Sequence, residues 1–150
     1  RKIEFEANET FYGNVSFKTG VKRFYNILSV GGSTKGIGYW GFGYGFGTAI
    51  DFSEKTGMNI DLISYQVIEG SRWVDDMNLM NRLKVNGFYR LNNGMEIFGG
   101  PAYVVSTSQI TDSEGNITGG TFEPDWTFYD KVHGETRVRM YVGFNLGIRY

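Results

Sequence analysis

The chain holds one histidine, in Asp130-Lys-Val-His133-Gly-Glu135, with Asp125 shortly upstream. A histidine steered by a carboxylate is a minimal general base. His133 with Asp125 or Asp130 is the combination that would serve a surface enzyme acting on lipid or peptide. A solvated loop histidine is the simpler account. Asp112-Ser-Glu114-Gly-Asn116 sets oxygen ligands at alternate positions, as a calcium loop begins. Such a loop needs glycine at its sixth position and glutamate at its twelfth. Ile117 and Glu123 stand there, so the glycine fails and the stretch reads as a polar hairpin tip. Gly41, Gly43, Gly45 and Gly47 lack the turn-to-helix setting of a phosphate loop. The absence of cysteine removes thiol chemistry, disulfides and cysteine metal sites. No catalytic residue, metal or cofactor is expected.

The elements that carry these residues follow from alternation. Val138, Met140, Val142, Phe144, Leu146, Ile148 and Tyr150 share one parity, while Arg137, Arg139, Tyr141, Gly143, Asn145, Gly147 and Arg149 share the other. Successive strand side chains point to opposite faces, so this is one strand with an apolar face and a face of charge and glycine. Trp40, Phe42, Tyr44, Phe46, Ile50 and Phe52 alternate with the glycine row in the same way. Leu79, Leu83, Val85, Tyr89 and Leu91 alternate with Arg82, Lys84, Asn86 and Arg90. At the N-terminus, Ile3, Phe5, Phe11, Val15 and Phe17 oppose Lys2, Glu4, Glu6, Tyr12 and Ser16.

Composition decides which face is inside. Glycine occurs 22 times and aromatics make up 17% of the residues. Glycine weakens a solvent-exposed strand, but it makes room in a narrow barrel where large side chains need small neighbours. In lipid the usual rule inverts: apolar residues face out, small and polar ones face in. The fold class expected is therefore all-β, a transmembrane antiparallel up-and-down barrel of about eight strands. With 150 residues it forms a single domain. Net charge is −1 and the basic residues form no patch, so nucleic acid is not an expected partner. No run of about 18 apolar residues is present for a membrane helix.

Strands are expected at 22–31, 36–53, 57–68, 78–91, 95–107 and 136–150, plus the N-terminal segment. Short turns at 18–22, 53–57 and Asn92-Asn93-Gly94 alternate with longer connections at 31–36, 69–78 and 107–135. An even strand count has two solutions. Residues 1–7 and 10–18 form a hairpin joined at Asn8-Glu9, or a strand precedes Arg1. The hairpin is preferred, although unbroken alternation from Lys2 to Phe17 favours the other.

The last strand, Met140-Tyr-Val-Gly-Phe-Asn-Leu-Gly-Ile-Arg-Tyr150, resembles the closing strand of small Gram-negative outer-membrane barrels. Phe144, Leu146, Ile148 and Tyr150 match the family's terminal pattern, with Tyr where Phe is commoner. The resemblance implies location in the outer membrane, contact with its lipid, and recognition of this strand by the barrel-assembly machinery. It brings no catalytic motif.

The inward parity carries Glu4, Glu6, Asp51, Asp61, Arg82, Lys84, Arg90, Glu96, Arg137, Arg139 and Arg149. In a barrel of about eight strands the interior is just filled by side chains. Charges of both signs there are expected to pair and plug the lumen, since an unpaired buried charge is costly. A narrow channel is the alternative. The expected role is non-enzymatic: structural, surface-binding or accessory, as a subunit of an envelope complex. Phe122, Trp126, Phe128 and Tyr129 are the expected contact surface for other envelope proteins, because aromatics are enriched at interfaces. Anchoring of the loop at the rim would explain them equally.

Overall fold

In a computed structural model of the chain, residues 1–34, 38–69, 78–109, 111, 114–116, 122 and 124–150 are described. Among the described residues nine strands form the fold: β1 (Lys2–Asn8), β2 (Gly13–Val21), β3 (Phe24–Ser33), β4 (Tyr39–Asp51), β5 (Thr56–Glu69), β6 (Asn78–Arg90), β7 (Glu96–Ser108), β8 (Tyr129–His133) and β9 (Thr136–Arg149). Each strand from β1 to β7 pairs antiparallel with the next; β7 pairs with β9, and β9 with β1. Eight strands thus close an up-and-down antiparallel barrel. The remaining strand, β8, folds back on β9 as a hairpin.

The register fixes the barrel's girth. From Glu4 the cross-strand pairs run Ser16, Ser29, Gly43, Tyr65, Met80, Ser106 and Arg139. The direct partner of Glu4 on β9 is Arg149, so one circuit slips by 149 − 139 = 10 residues. Eight strands with that stagger tilt by about 40° and enclose a space that side chains fill.

The N-terminal segment is the hairpin β1–β2, but its alternation breaks at the turn. Phe11, expected outside, is fully buried, and Tyr12, expected inside, is exposed. The cause is local: Asn8 Oδ1 accepts hydrogen bonds from the backbone N–H of Thr10 (3.0 Å) and of Phe11 (2.7 Å), a tight turn that resets the period. The turn expected at 18–22 shifts later. β2 continues through Gly20, whose φ of +142° suits glycine, and Val21 pairs with Phe24 across Lys22-Arg23. The segment 107–135, expected as one loop, contains β8.

The turns at 22–23, 52–55 and 91–95 and both ends of the described chain lie at one end of the barrel. β3, β5 and β7 end, and β4, β6 and β9 begin, at the other, together with the β1–β2 turn and the β8–β9 hairpin.

Candidate functional site

The lumen is the most elaborated region, and it has two unlike halves. In the half nearer the chain ends, charged groups interlock. Lys18 reaches Glu4 (2.7 Å) and Asp61 (2.6 Å), and Arg149 reaches Glu4 (3.2 Å) and Glu96. Lys2 (2.7 Å) and Arg90 (2.9 Å) also converge on Glu96. The Tyr25 hydroxyl (2.6 Å) and the Asn59 amide (2.8 Å) donate to Asp61. Above them Lys84 meets Glu6 at 2.6 Å. Glycine makes the space: a Cβ on Gly47 would lie 2.7 Å from the Tyr25 ring.

The other half is mainly apolar, with polar groups such as Asn78 and Ser108 paired among the aromatics. Tyr39, Tyr65, Val67, Met80, Val104 and Tyr141 project from the strands, and Phe11 and Phe122 enter from connections. Phe11 packs 5.3 Å from the Tyr65 ring, and Phe122 meets Tyr39 edge-on at 6.1 Å. The Phe122 backbone N–H donates to the Glu69 carboxylate (3.1 Å). Phe122 was expected on a contact surface; it belongs to the core, because an apolar chamber under the loop offers it better burial than the loop's surface.

The expected inward charges separate by position. Glu4, Glu6, Asp61, Arg82, Lys84, Glu96 and Arg149 are buried. Asp51 and Arg90 sit partly exposed at the rim, with Asp51 held by Lys22. Arg137 and Arg139 have the lumen parity but stand above the wall, where both bind Asp130 on β8 (2.6 and 3.1 Å). Hydrogen bonds from Arg137, with the charge of Arg139, hold the Asp130 carboxyl below its ordinary range. Lys18 and Glu9 were missed. Lys18 was assigned to a turn, although the parity of Ser16 already pointed it inward.

Glu9 marks a seam. The free edge of β9 is shared: β1 covers Asn145–Arg149 and β8 covers Thr136–Met140. Between them side chains take over. The Glu9 carboxylate accepts the Phe144 N–H (3.0 Å), and the Trp126 indole donates to the Val142 carbonyl (3.2 Å). Arg82 clamps Glu9 from inside at 2.6 Å. A Cβ on Gly143 would overlap the Glu9 carboxylate, so a larger residue here must displace that side chain.

His133 does not meet Asp130. Its Nε2 is 3.0 Å from the Tyr129 hydroxyl, while Asp130 is engaged by the two arginines. The alternative of a His133–Asp130 base is therefore not assembled, because the two arginines already engage the carboxylate. Asp125 is exposed. Asp112, Ile117 and Glu123, which enter the calcium pattern, lie outside the described residues. Trp126 and Phe128 are exposed beside β9, with Phe128 6.0 Å from Tyr103, and Tyr129 is half-buried.

The exterior is apolar. Phe144 is 68% and Leu146 66% exposed, while Arg149 on the opposite parity is 3% exposed. Ile148 and Tyr150 share the outer face with Phe144 and Leu146.

The class these features define is a small closed up-and-down β-barrel, apolar outside and filled inside. No family model, curated protein or solved structure matches the chain.

Proposed function

We propose that the protein is a non-enzymatic outer-membrane β-barrel with a structural, surface-binding or accessory role in an envelope complex of a Gram-negative bacterium. The observation that carries this reading is the exterior. Every strand of the closed barrel has large apolar side chains among its exposed residues, from Ile3 and Phe5 on β1 to Ile148 on β9. A protein surrounded by water rarely exposes apolar patches beyond a few hundred Å². From Trp40 to Ile50 the outer face of β4 climbs about 25 Å at about 3.3 Å per residue and a tilt of about 40°. That is roughly the height of the apolar band of outer-membrane barrels.

The end with short turns faces the periplasm in this reading, and the long connections face outside. Trp126 and Phe128 then stand at the outer rim, available to a partner protein. Phe144, Leu146, Ile148 and Tyr150 form the outward row that the assembly machinery reads. The filled lumen supports a closed barrel over a channel, and single-channel recordings are expected to lack stable openings of porin size.

Phe144→Arg tests the reading. A charge at the lipid midplane costs about 2–4 kcal/mol, so this variant is expected to be lost from the outer-membrane fraction. Normal fractionation and folding of Phe144→Arg would overturn the membrane assignment. Ser113→Cys or Gly119→Cys, in the 109–128 connection, is expected to react with an impermeant label on intact cells. Labelling only after the outer membrane is breached would reverse the topology and remove the proposed contact surface.

A further inference from the structure

A cavity of about 260 Å³ opens at the barrel end that carries the short turns. Lys18 and Arg149 line its depth, Lys2, Lys22 and Arg90 its lip, and Phe88 one wall. No carboxylate is among its lining residues. The acids that pair with these cations lie behind them: Glu4, Asp61 and Glu96 are 1%, 0% and 3% exposed. Lys2 and Lys22 keep 42% and 54% of their side chains exposed, and Arg90 31%.

The pairing is lopsided. Glu96 alone serves Lys2, Arg90 and Arg149. The same three cations gather round the Phe88 ring, at 5.9, 5.7 and 4.7 Å from its centroid. Glu4 is shared between Lys18 and Arg149, and Asp51 between Lys22 and Arg90. These five cations therefore meet four carboxylates, Glu4, Asp51, Asp61 and Glu96, and Arg1 adds a sixth basic residue to the lining. These basic side chains line a recess walled by protein, where field lines concentrate and a second anion gains more than in open water.

We propose that this basic mouth binds a small phosphate-bearing anion. Guanidinium and ammonium groups that converge from several strands and share fewer carboxylates favour an added acceptor with several oxygens and more than one charge, which a phosphate group offers and a single carboxylate does not. At about 30 Å³ per water the recess has room for one or two phosphate groups. The anion is either the headgroup of a lipid in the adjoining leaflet or a soluble phosphate compound. The cavity is a property of the closed barrel and does not rest on the membrane reading.

The test is calorimetric titration of the purified barrel, in micelles of an uncharged detergent, with inorganic pyrophosphate. Saturable one-site binding is expected, weakened roughly tenfold in Arg90→Gln, which loses a charged hydrogen-bond donor. Lys22→Gln is expected to weaken it in the same direction. Lys131→Gln, at the far end, is expected to bind as the wild type does. Both rim residues are partly exposed, and the circular dichroism spectra of the variants are expected to match the wild type. Absence of saturable binding at millimolar pyrophosphate would overturn the proposal. So would equal weakening by Lys131→Gln, which would reduce the effect to diffuse charge. Short-chain phosphatidylglycerol then separates the sources: displacement of pyrophosphate assigns a lipid headgroup, and failure to displace it assigns a soluble phosphate compound.

Discussion

The two halves of the lumen solve one packing problem with opposite chemistry. Near the chain ends the strands fill the space themselves, with ion pairs such as Lys18–Asp61 and Lys84–Glu6. Toward the loops the strands leave room, and residues from the connections enter it. Phe11 lies against Gly31 and Gly41, where added Cβ atoms would sit 2.7 and 2.9 Å from its ring. The charged half is thus specified by cross-strand register and the apolar half by two connections that fold inward. The first should fail when one partner of a pair is removed, and the second when a plug is shortened.

The largest expected effect is on the charged side. Lys84→Met strands the buried Glu6 carboxylate, and removing one member of a buried pair costs about 3–5 kcal/mol. Replacing both, as Lys84→Met with Glu6→Leu, is expected to restore most of that stability. A double variant no more stable than the single one in urea unfolding would show that the pair does more than fill space. On the apolar side, Phe11→Ala is expected to cost about 3 kcal/mol through the cavity it leaves. If instead it unfolds at the wild-type midpoint, the connection is not the plug.

Gly143→Ala sharpens the boundary between the halves. Its methyl displaces Glu9 from Arg82 and from the Phe144 N–H, at an expected cost of about 2 kcal/mol for the buried groups left unpaired. Arg82→Gln in the same background should then add little, and full additivity in unfolding experiments would refute the coupling.

The smallest effect lies above the barrel. Asp130 is depressed below its ordinary pKa, so its pairing stabilises the β8–β9 hairpin above that ordinary value. This contribution is lost as pH falls through the lower, folded pKa. The carboxylate is one-third exposed, so Asp130→Asn is expected to cost less than about 1 kcal/mol, confined to β8. Amide exchange across β8 against pH would detect it, and an exchange profile flat down to strongly acidic pH would remove Asp130 from the account.

Much of this architecture was legible because a strand's period of two leaves a plain record. The rows Trp40 to Phe52 and Val138 to Tyr150 marked both faces, and strand limits fell within a few residues. What escaped was set by single hydrogen bonds. Nothing periodic distinguishes Phe11 from Phe17; the Asn8 side chain turns one inward and leaves the other outside. Phe122 looked like a surface aromatic because the chamber that accepts it is assembled from β4, β5 and distant strands. The Glu9–Arg82 clamp joins residues 73 apart, and Glu9 lay in a presumed turn. The alternative of a His133–Asp130 base rested on proximity in sequence and left out the competition from Arg137 and Arg139.

The shared edge of β9 has a kinetic consequence. Most strand amides here are protected by a neighbouring backbone, so they exchange with solvent only when a stretch of ladder parts. The Phe144 amide is protected by a carboxylate on a swinging arm. Its exchange clock therefore runs on the rotamer life of Glu9, and any ligand or substitution that disturbs Arg82 resets it while its ladder-bound neighbours keep their own time.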